Sequence, residues 1–140
     1  IIDEYITCDP LGMSQEDPTL VVKPIDSDRF VGGAGVVAAH AAGLGAKARL
    51  LSVVGDDVEA TFAREALASS KVDPILLHDE IRPTTLKTRY RCQGKTLLRV
   101  SRLHQAPIST ELRRAAWTSA DYQEGVRAFT EKRSPRFSGS

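Results

Sequence analysis

The segment from Ala34 to Leu77 constrains the fold more than any other part of the chain, because helix-length and strand-length apolar runs alternate there between glycine signals. Gly32-Gly33 opens an Ala-rich, helix-competent stretch from Ala34 to Leu44, and Gly45 stands where the C′ residue of that helix belongs. Lys47 to Val54 (KARLLSVV) then reads as a buried parallel strand. Gly55-Asp56-Asp57 ends it, and Asp56 with Glu59 three residues later fits a capping box for a second helix running through Ser69. Within that helix Phe62, Ala63, Ala66 and Leu67 recur at helical spacing, so one face packs inward. Val72 to Leu77 is the next strand. This β-α-β-α-β rhythm argues for an α/β fold: a parallel sheet with crossover helices.

The flanks read differently. Ile1 to Thr7 has the pattern of a buried strand running into a turn at Cys8-Asp9-Pro10-Leu11-Gly12. Thr19 to Val22 is a short β-branched run between Pro18 and Pro24, suited to an edge or flap strand, and Asp26-Ser27-Asp28 makes a further turn. After Pro83 the period becomes two: Lys87, Arg89 and Arg91 fall on one side of a strand, and Leu86, Thr88 and Tyr90 on the other. Gln93-Gly94-Lys95 turns the chain, and Thr96 to Arg102 returns as the second strand of a hairpin. A helix follows from Ser109 or Thr110, with Glu111 in its first turn and Leu112, Ala115 and Ala116 behind it. Past Trp117 the helical periodicity fades, and Lys132 to Ser140 reads as a disordered tail.

Composition narrows the function classes. At 140 residues the chain is about one domain. Its longest uncharged run rich in apolar residues, roughly Val31 to Ala46, is broken by glycines and His40 and is too short for a membrane span. No basic, apolar leader opens it, and Cys8 and Cys92 belong to no metal-ligand spacing, so the expectation is a reduced cytoplasmic protein with two packing thiols. A net charge of +1 conceals an asymmetry: residues 1–81 carry 6 basic and 14 acidic side chains, residues 82–140 carry 13 and 4. The positive residues are spread over a hairpin and a tail with no aromatic platform among them, so neither nucleic acid nor a membrane is an expected partner.

Gly32-Gly33-Ala34-Gly35 at a helix start is the informative chemical feature. Glycines there let backbone N–H groups approach a ligand, and the helix N-terminus favours anions and polar oxygens. Two other readings compete: a turn that merely permits tight packing, and a G-x-G-x-x-A dinucleotide fingerprint at Gly33 to Ala38 with Asp56 about twenty residues on. Against the fingerprint, the preceding Asp26 to Val31 is a poor buried first strand. His40, His78 and His104 have no nucleophile or acidic partner in a catalytic pattern, and Asp56-Asp57 reads as a cap rather than a metal site. No P-loop lysine motif, HExxH or C-x-x-C occurs.

Taken in order, Ile2-Asp3 before a turn, Leu11-Gly12-Met13-Ser14, Thr19 to Val22, Phe30-Val31-Gly32-Gly33-Ala34-Gly35, Leu44-Gly45-Ala46, Val53 to Asp57 and Thr84 to Arg89 form a fairly specific constellation. It resembles the N-terminal part of PfkB/ribokinase-family carbohydrate kinases, above all the heptose-7-phosphate kinase domain of ADP-heptose synthases. The resemblance covers about residues 1–115. It implies a ribokinase-like sandwich with a small β lid near residues 12–31, the N-terminal half of a kinase domain over residues 1–116, and an unassigned tail over 117–140. It implies a sugar or sugar-phosphate substrate between lid and core, with ATP and Mg2+ as cofactors and the ATP site outside this chain. By position, Asp3 matches the residue that hydrogen-bonds sugar hydroxyls, Gly32 and Gly33 match the glycine pair against which the sugar lies, and Lys87 and Arg99 match basic positions facing an anionic substrate. The lid's exposed strand edge suggests a homodimer.

Two departures stand out. Where the family usually carries an Asn that touches the sugar, this chain has Val36. The family's Gly-x-Gly-Asp motif, with its catalytic aspartate, has no match after Leu112. Phosphoryl transfer depends on positioning, charge stabilisation and a bound nucleotide, so the expectation is a substrate-binding half, or a non-catalytic sugar-binding or dimerising remnant of one.

Overall fold

The computed structural model describes residues 1–138; Gly139 and Ser140, and the side chains of Ala115 and Ala116, lie outside the described residues together with the expectations that fell on them. Six strands and four helices follow one another: β1 (Ile2–Met13), β2 (Leu20–Val31), α1 (Ala34–Gly43), β3 (Ala48–Val54), α2 (Val58–Ser69), β4 (Val72–His78), β5 (Leu86–Cys92), β6 (Lys95–Arg102), α3 (Thr110–Trp117) and α4 (Ala120–Glu131). They build an α/β fold with two sheets, one four-stranded in the order β2-β1-β5-β6 and one two-stranded, β3-β4.

The crossover from β3 through α2 to β4 gives a parallel pair, as the alternating pattern predicts. The step before it is different. β2 runs antiparallel to β1, and β3 lies in the other sheet, so the four-stranded sheet is mixed rather than parallel: β1 and β5 are parallel, while β1–β2 and β5–β6 are antiparallel. The α/β fold is as expected, with the parallel pairing confined to β3–β4 and to β1–β5, and the topology removes the dinucleotide reading of Gly33 to Ala38. That fingerprint needs its helix to join two parallel strands of one sheet, whereas α1 joins strands of two sheets.

The expected turns at residues 8–12 and 26–28 are strand as well. β1 continues to Met13 and β2 begins at Leu20, with the reversal between them closed by the Ser14 N–H donating to the Thr19 carbonyl at 2.8 Å. Pro10, Gly12 and Pro24 are absorbed at two register shifts, where a strand tolerates a missing donor or, at Gly12, a φ of +120°. Asp26, Ser27 and Asp28 pair with Thr7, Ile6 and Tyr5 on an exposed edge strand, and polar residues blunt such an edge.

The core is small. Ala42 of α1, Leu67 of α2 and Val72 of β4 are buried together, with Val31, Ala38, Leu50 and Leu76 packed against them. Gly45 has the expected positive φ, +93°, just past the C-cap of α1. The cap of α2 falls one residue later than the capping-box reading: Asp57, not Asp56, accepts from the Ala60 N–H at 2.9 Å. Its other carboxylate oxygen accepts from the Thr84 N–H at 2.8 Å, and the Thr84 hydroxyl accepts from the Gly55 N–H at 3.0 Å. The first turn of α2 is thereby tied to the root of the β5–β6 hairpin. Arg102, the register partner of Leu86 at that same root, pairs with the buried Glu59 at 2.6 Å.

Ser109 caps α3, accepting from the Leu112 N–H. Where the apolar periodicity fades, α4 nonetheless forms; Ser119 caps it, and the Arg133 guanidinium folds back onto Glu124 at 2.6 Å. Local capping and ion pairing, rather than a buried face, hold this helix. Among the described residues no helix is long and apolar enough to cross a membrane.

Candidate functional site

The face of the four-stranded sheet that carries Asp3, Tyr5 and Thr7 forms one wall of a cleft of about 610 Å³. Strand alternation sets this wall: residues two apart on β1 point the same way, and their register partners on the neighbouring strands join them. Phe30 of β2 lies opposite Asp3, Asp28 opposite Tyr5, and Arg91 of β5 opposite Thr7; Phe30, Asp28 and Arg91 all line the cleft, and Val36 of α1 closes its inner end.

Asp3 is the centre of the polar side. It is half-buried and paired with the Arg89 guanidinium, Nη1 to Oδ1 at 2.5 Å. That hydrogen bond raises the Arg89 pKa above the ordinary arginine range. Arg89 also stands 5.1 Å over the Tyr5 ring and Arg91 5.8 Å from its centroid, while Phe30 meets Tyr5 edge-on at 6.0 Å. Two guanidinium groups and two aromatic rings thus share one wall. Arg91 donates to the Gly94 carbonyl at 2.8 Å, and its fork carries five N–H groups in all.

The glycine pair has two separate reasons for being glycine. A Cβ on Gly32 would collide with the Asp3 carboxylate, so this position is bare because the acid stands against it. The Gly32 N–H donates to the Ile1 carbonyl at 3.0 Å, which fixes the start of α1 to the start of β1. Gly33 has open space around it but is the N-cap of α1 at φ 55° and ψ −121°, a conformation that side chains strongly disfavour.

Of the five residues singled out in the sequence, Asp3 lines the cleft. Gly32 is buried directly behind it, and Gly33 is exposed at the helix start. Lys87 is the register partner of Asp3 on β5, and Arg99 is that of Arg89 on β6, so both belong to the same face without lining the cleft itself. Tyr5, Phe30, Arg89 and Arg91 were not singled out. The period-two alternation already placed Arg89 and Arg91 beside Lys87; what was missing was the β1–β5 pairing that brings them to Asp3 and Tyr5.

Behind this face, Glu4 is buried and accepts from Arg29 at 2.7 Å and from the Thr88 hydroxyl at 2.8 Å. Burial opposes its ionisation, but those hydrogen bonds outweigh burial and hold its carboxyl below the ordinary range. The network locks β2, β1 and β5 together under the cleft.

The arrangement suits a small polyhydroxylated ligand. A carboxylate accepts from hydroxyl groups, aromatic and aliphatic walls cover the ring faces, and guanidinium groups receive an anionic substituent. Among the described residues no three His, Cys, Asp or Glu side chains come together as a metal site, so these residues do not by themselves assemble a place for Mg2+.

Comparison with known proteins gives the family and the fold. The family model described as pfkB family carbohydrate kinase matches residues 2–124, past the point where the resemblance in the sequence ends. Bifunctional protein HldE of Rhodopseudomonas palustris (strain BisB18) is 36% identical over 121 residues, which are 86% of this chain and 22% of that protein. The HldE of Helicobacter pylori (strain P12) is 35% identical over 115 residues, 81% of this chain and 25% of the relative. Among solved structures, a carbohydrate kinase from Agrobacterium tumefaciens superposes with a TM-score of 0.58 at 15% identity, covering 91% of this chain and 39% of the other. Arabidopsis thaliana ribokinase, complexed with ribose and ATP, gives 0.58 at 17% identity over 71% of this chain and 32% of its own. These likenesses establish a ribokinase-like fold. The chain spans about a quarter or less of the length of the HldE relatives described here, and it belongs to the pfkB family of carbohydrate kinases.

Proposed function

We propose that these residues are the sugar-binding part of an ATP-dependent sugar kinase of the cytoplasm, with a sugar or sugar phosphate held in the cleft against Asp3. The observation that carries this reading is the fit of Asp3 against Gly32. An acid that could accept from vicinal hydroxyls stands beside bare backbone at a helix start, inside a cleft of ligand size. Asp3 orients the hydroxyls, Tyr5 and Phe30 shield one side from water, and Arg91 receives an anionic substituent. Gly33, Lys87 and Arg99 complete the binding face in this reading, Lys87 and Arg99 by adding positive charge along β5 and β6.

The four-stranded sheet acts as the lid. ATP supplies the phosphoryl group, and the residues that hold ATP and its Mg2+ and remove the proton from the accepting hydroxyl lie outside these 140. Val36, apolar where a hydroxyl-binding Asn is usual, changes which sugar fits. The edge of β2 at Leu20 to Val22, clear of the polar Asp26–Asp28 stretch, is the place for a second copy to pair.

The test is ADP release by the full-length protein, measured over a panel of sugars and sugar phosphates. Turnover that depends on one of them, and that disappears in Asp3→Ala, supports the kinase reading. Sugar binding without turnover leaves a sugar-binding remnant, and neither binding nor turnover overturns the proposal.

A further inference from the structure

Cys8 and Cys92 are 84 positions apart in the sequence, and the fold makes them neighbours. β1 and β5 pair in parallel with an unbroken register from Ile2↔Leu86 to Thr7↔Arg91, and the two cysteines are the next residue on each strand. The β1–β5 register ends at Thr7↔Arg91, one residue short of the cysteines, and both register shifts near this point belong to the outer pairings, β1 with β2 and β5 with β6. The two side chains also share a face. Ile2, Glu4 and Cys8 are buried on β1, Thr88 and Cys92 on β5, and the hydroxyl of Thr88 reaches its register partner Glu4 across that same face. Cys8 and Cys92 are 3% and 8% exposed, and both are free thiols. Continued by one residue, this register puts the two Cα atoms roughly 5 Å apart, within the separation a disulfide spans.

We propose that Cys8 and Cys92 form a dithiol–disulfide couple that can staple the two central strands of the lid sheet. The site lies one residue beyond Thr7 and Arg91, both of which line the ligand cleft on the opposite face, so oxidation fixes that end of the cleft covalently. The oxidant is a small-molecule disulfide such as glutathione disulfide. One cysteine thiolate attacks it and expels a glutathione thiolate; the second cysteine thiolate then attacks the mixed disulfide and expels the other. The chain loses two electrons and two protons, two glutathione molecules are produced, and the weak bond from the Cys8 thiol to the Ile6 carbonyl is given up. The proposal is independent of the sugar-kinase reading, since it rests on β1–β5 pairing alone.

The test equilibrates the full chain in glutathione redox buffers, starting from both the reduced and the oxidised form, once under native conditions and once in denaturant, with acid quenching and intact-mass readout. Because these are the two cysteines of the chain, an intramolecular link joins them in either state, and the comparison isolates what the fold contributes. The expected result is a folded-state effective concentration at least about tenfold above that of the unfolded chain, with the oxidised protein more resistant to denaturant by the same factor. A folded value equal to or below the unfolded one, or native protein that collects glutathione adducts without linking, overturns it. Cys8→Ser gives no link and serves as the mass control.

Discussion

The Asp3 carboxylate occupies the space that a side chain on Gly32 would need. Asp3 is held there by Arg89 from the neighbouring strand, so the glycine, the acid and the arginine form one positional unit across the β2–α1 junction, β1 and β5. In Gly32→Ala the new methyl displaces the carboxylate, which is the movable end of a side chain. The expected cost in stability is therefore only about 1 kcal/mol, while sugar affinity falls about tenfold or more because the acceptor is moved. Calorimetric titration beside denaturant melts separates the two effects. Gly33→Ala should cost more stability, about 1–3 kcal/mol of backbone strain, since its φ is 55° with no side chain nearby.

Arg91→Met keeps the stem length and removes the charge. Affinity for a sugar phosphate should fall about tenfold to a hundredfold, while affinity for the corresponding neutral sugar changes little. Equal losses for both ligands in paired titrations would show that Arg91 shapes the cleft rather than binding an anion.

Of the candidate cleft, Asp3, the glycine pair and the helix after it were legible in the sequence because they depend on local order. The strands and helices from Ala34 to Arg102 were legible for the same reason, each being a short periodic run between turn signals. The sheet pairing was not. Pro10, Gly12, Pro24 and Asp26-Ser27-Asp28 carry turn chemistry, yet they sit in a long hairpin whose register shifts accommodate them. Local propensity was overridden there by pairing with β1, which no spacing in the sequence encodes. A second pairing, β1 with β5, is equally silent in the sequence and brings Arg89 to Asp3. In α4 the apolar residues Tyr122, Val126 and Phe129 do recur at i, i+4 and i+7, but that face stays exposed, and a Ser119 cap and surface ion pairs support the helix instead.

Acid sensitivity should trace to Glu4 and Asp57. For each, burial opposes ionisation and hydrogen bonding outweighs it, from Arg29 and Thr88 at Glu4 and from Thr84 and the Ala60 N–H at Asp57, so each carboxyl lies below its ordinary value of 4.5 or 3.8. The unfolded chain binds more protons in the window below those values, so stability rises with pH across it. The contribution is complete above about pH 4.5 and is lost as pH falls through the depressed folded values. Glu4→Gln should lower stability at neutral pH by about 1–3 kcal/mol and flatten the upper part of the acid limb, leaving the Asp57 part in place. Denaturant midpoints across the acid range read this directly.

The cap assignment separates two adjacent aspartates. Asp57→Ala removes an acceptor from both the Ala60 and Thr84 N–H groups and should cost about 1–3 kcal/mol. Asp56 is exposed, and Asp56→Ala should stay within about 0.5 kcal/mol. Thermal melts of the two variants decide between them.

The most direct measurement of the central claim is an amide NMR titration of the chain with sugars and sugar phosphates. The expected result is saturable shifts centred on Asp3, Tyr5, Gly32 and Arg91 that vanish in Asp3→Ala while the variant's spectrum stays folded. Shifts that survive the loss of Asp3, or that appear with NAD and centre on Gly33 to Ala38 instead, would contradict it.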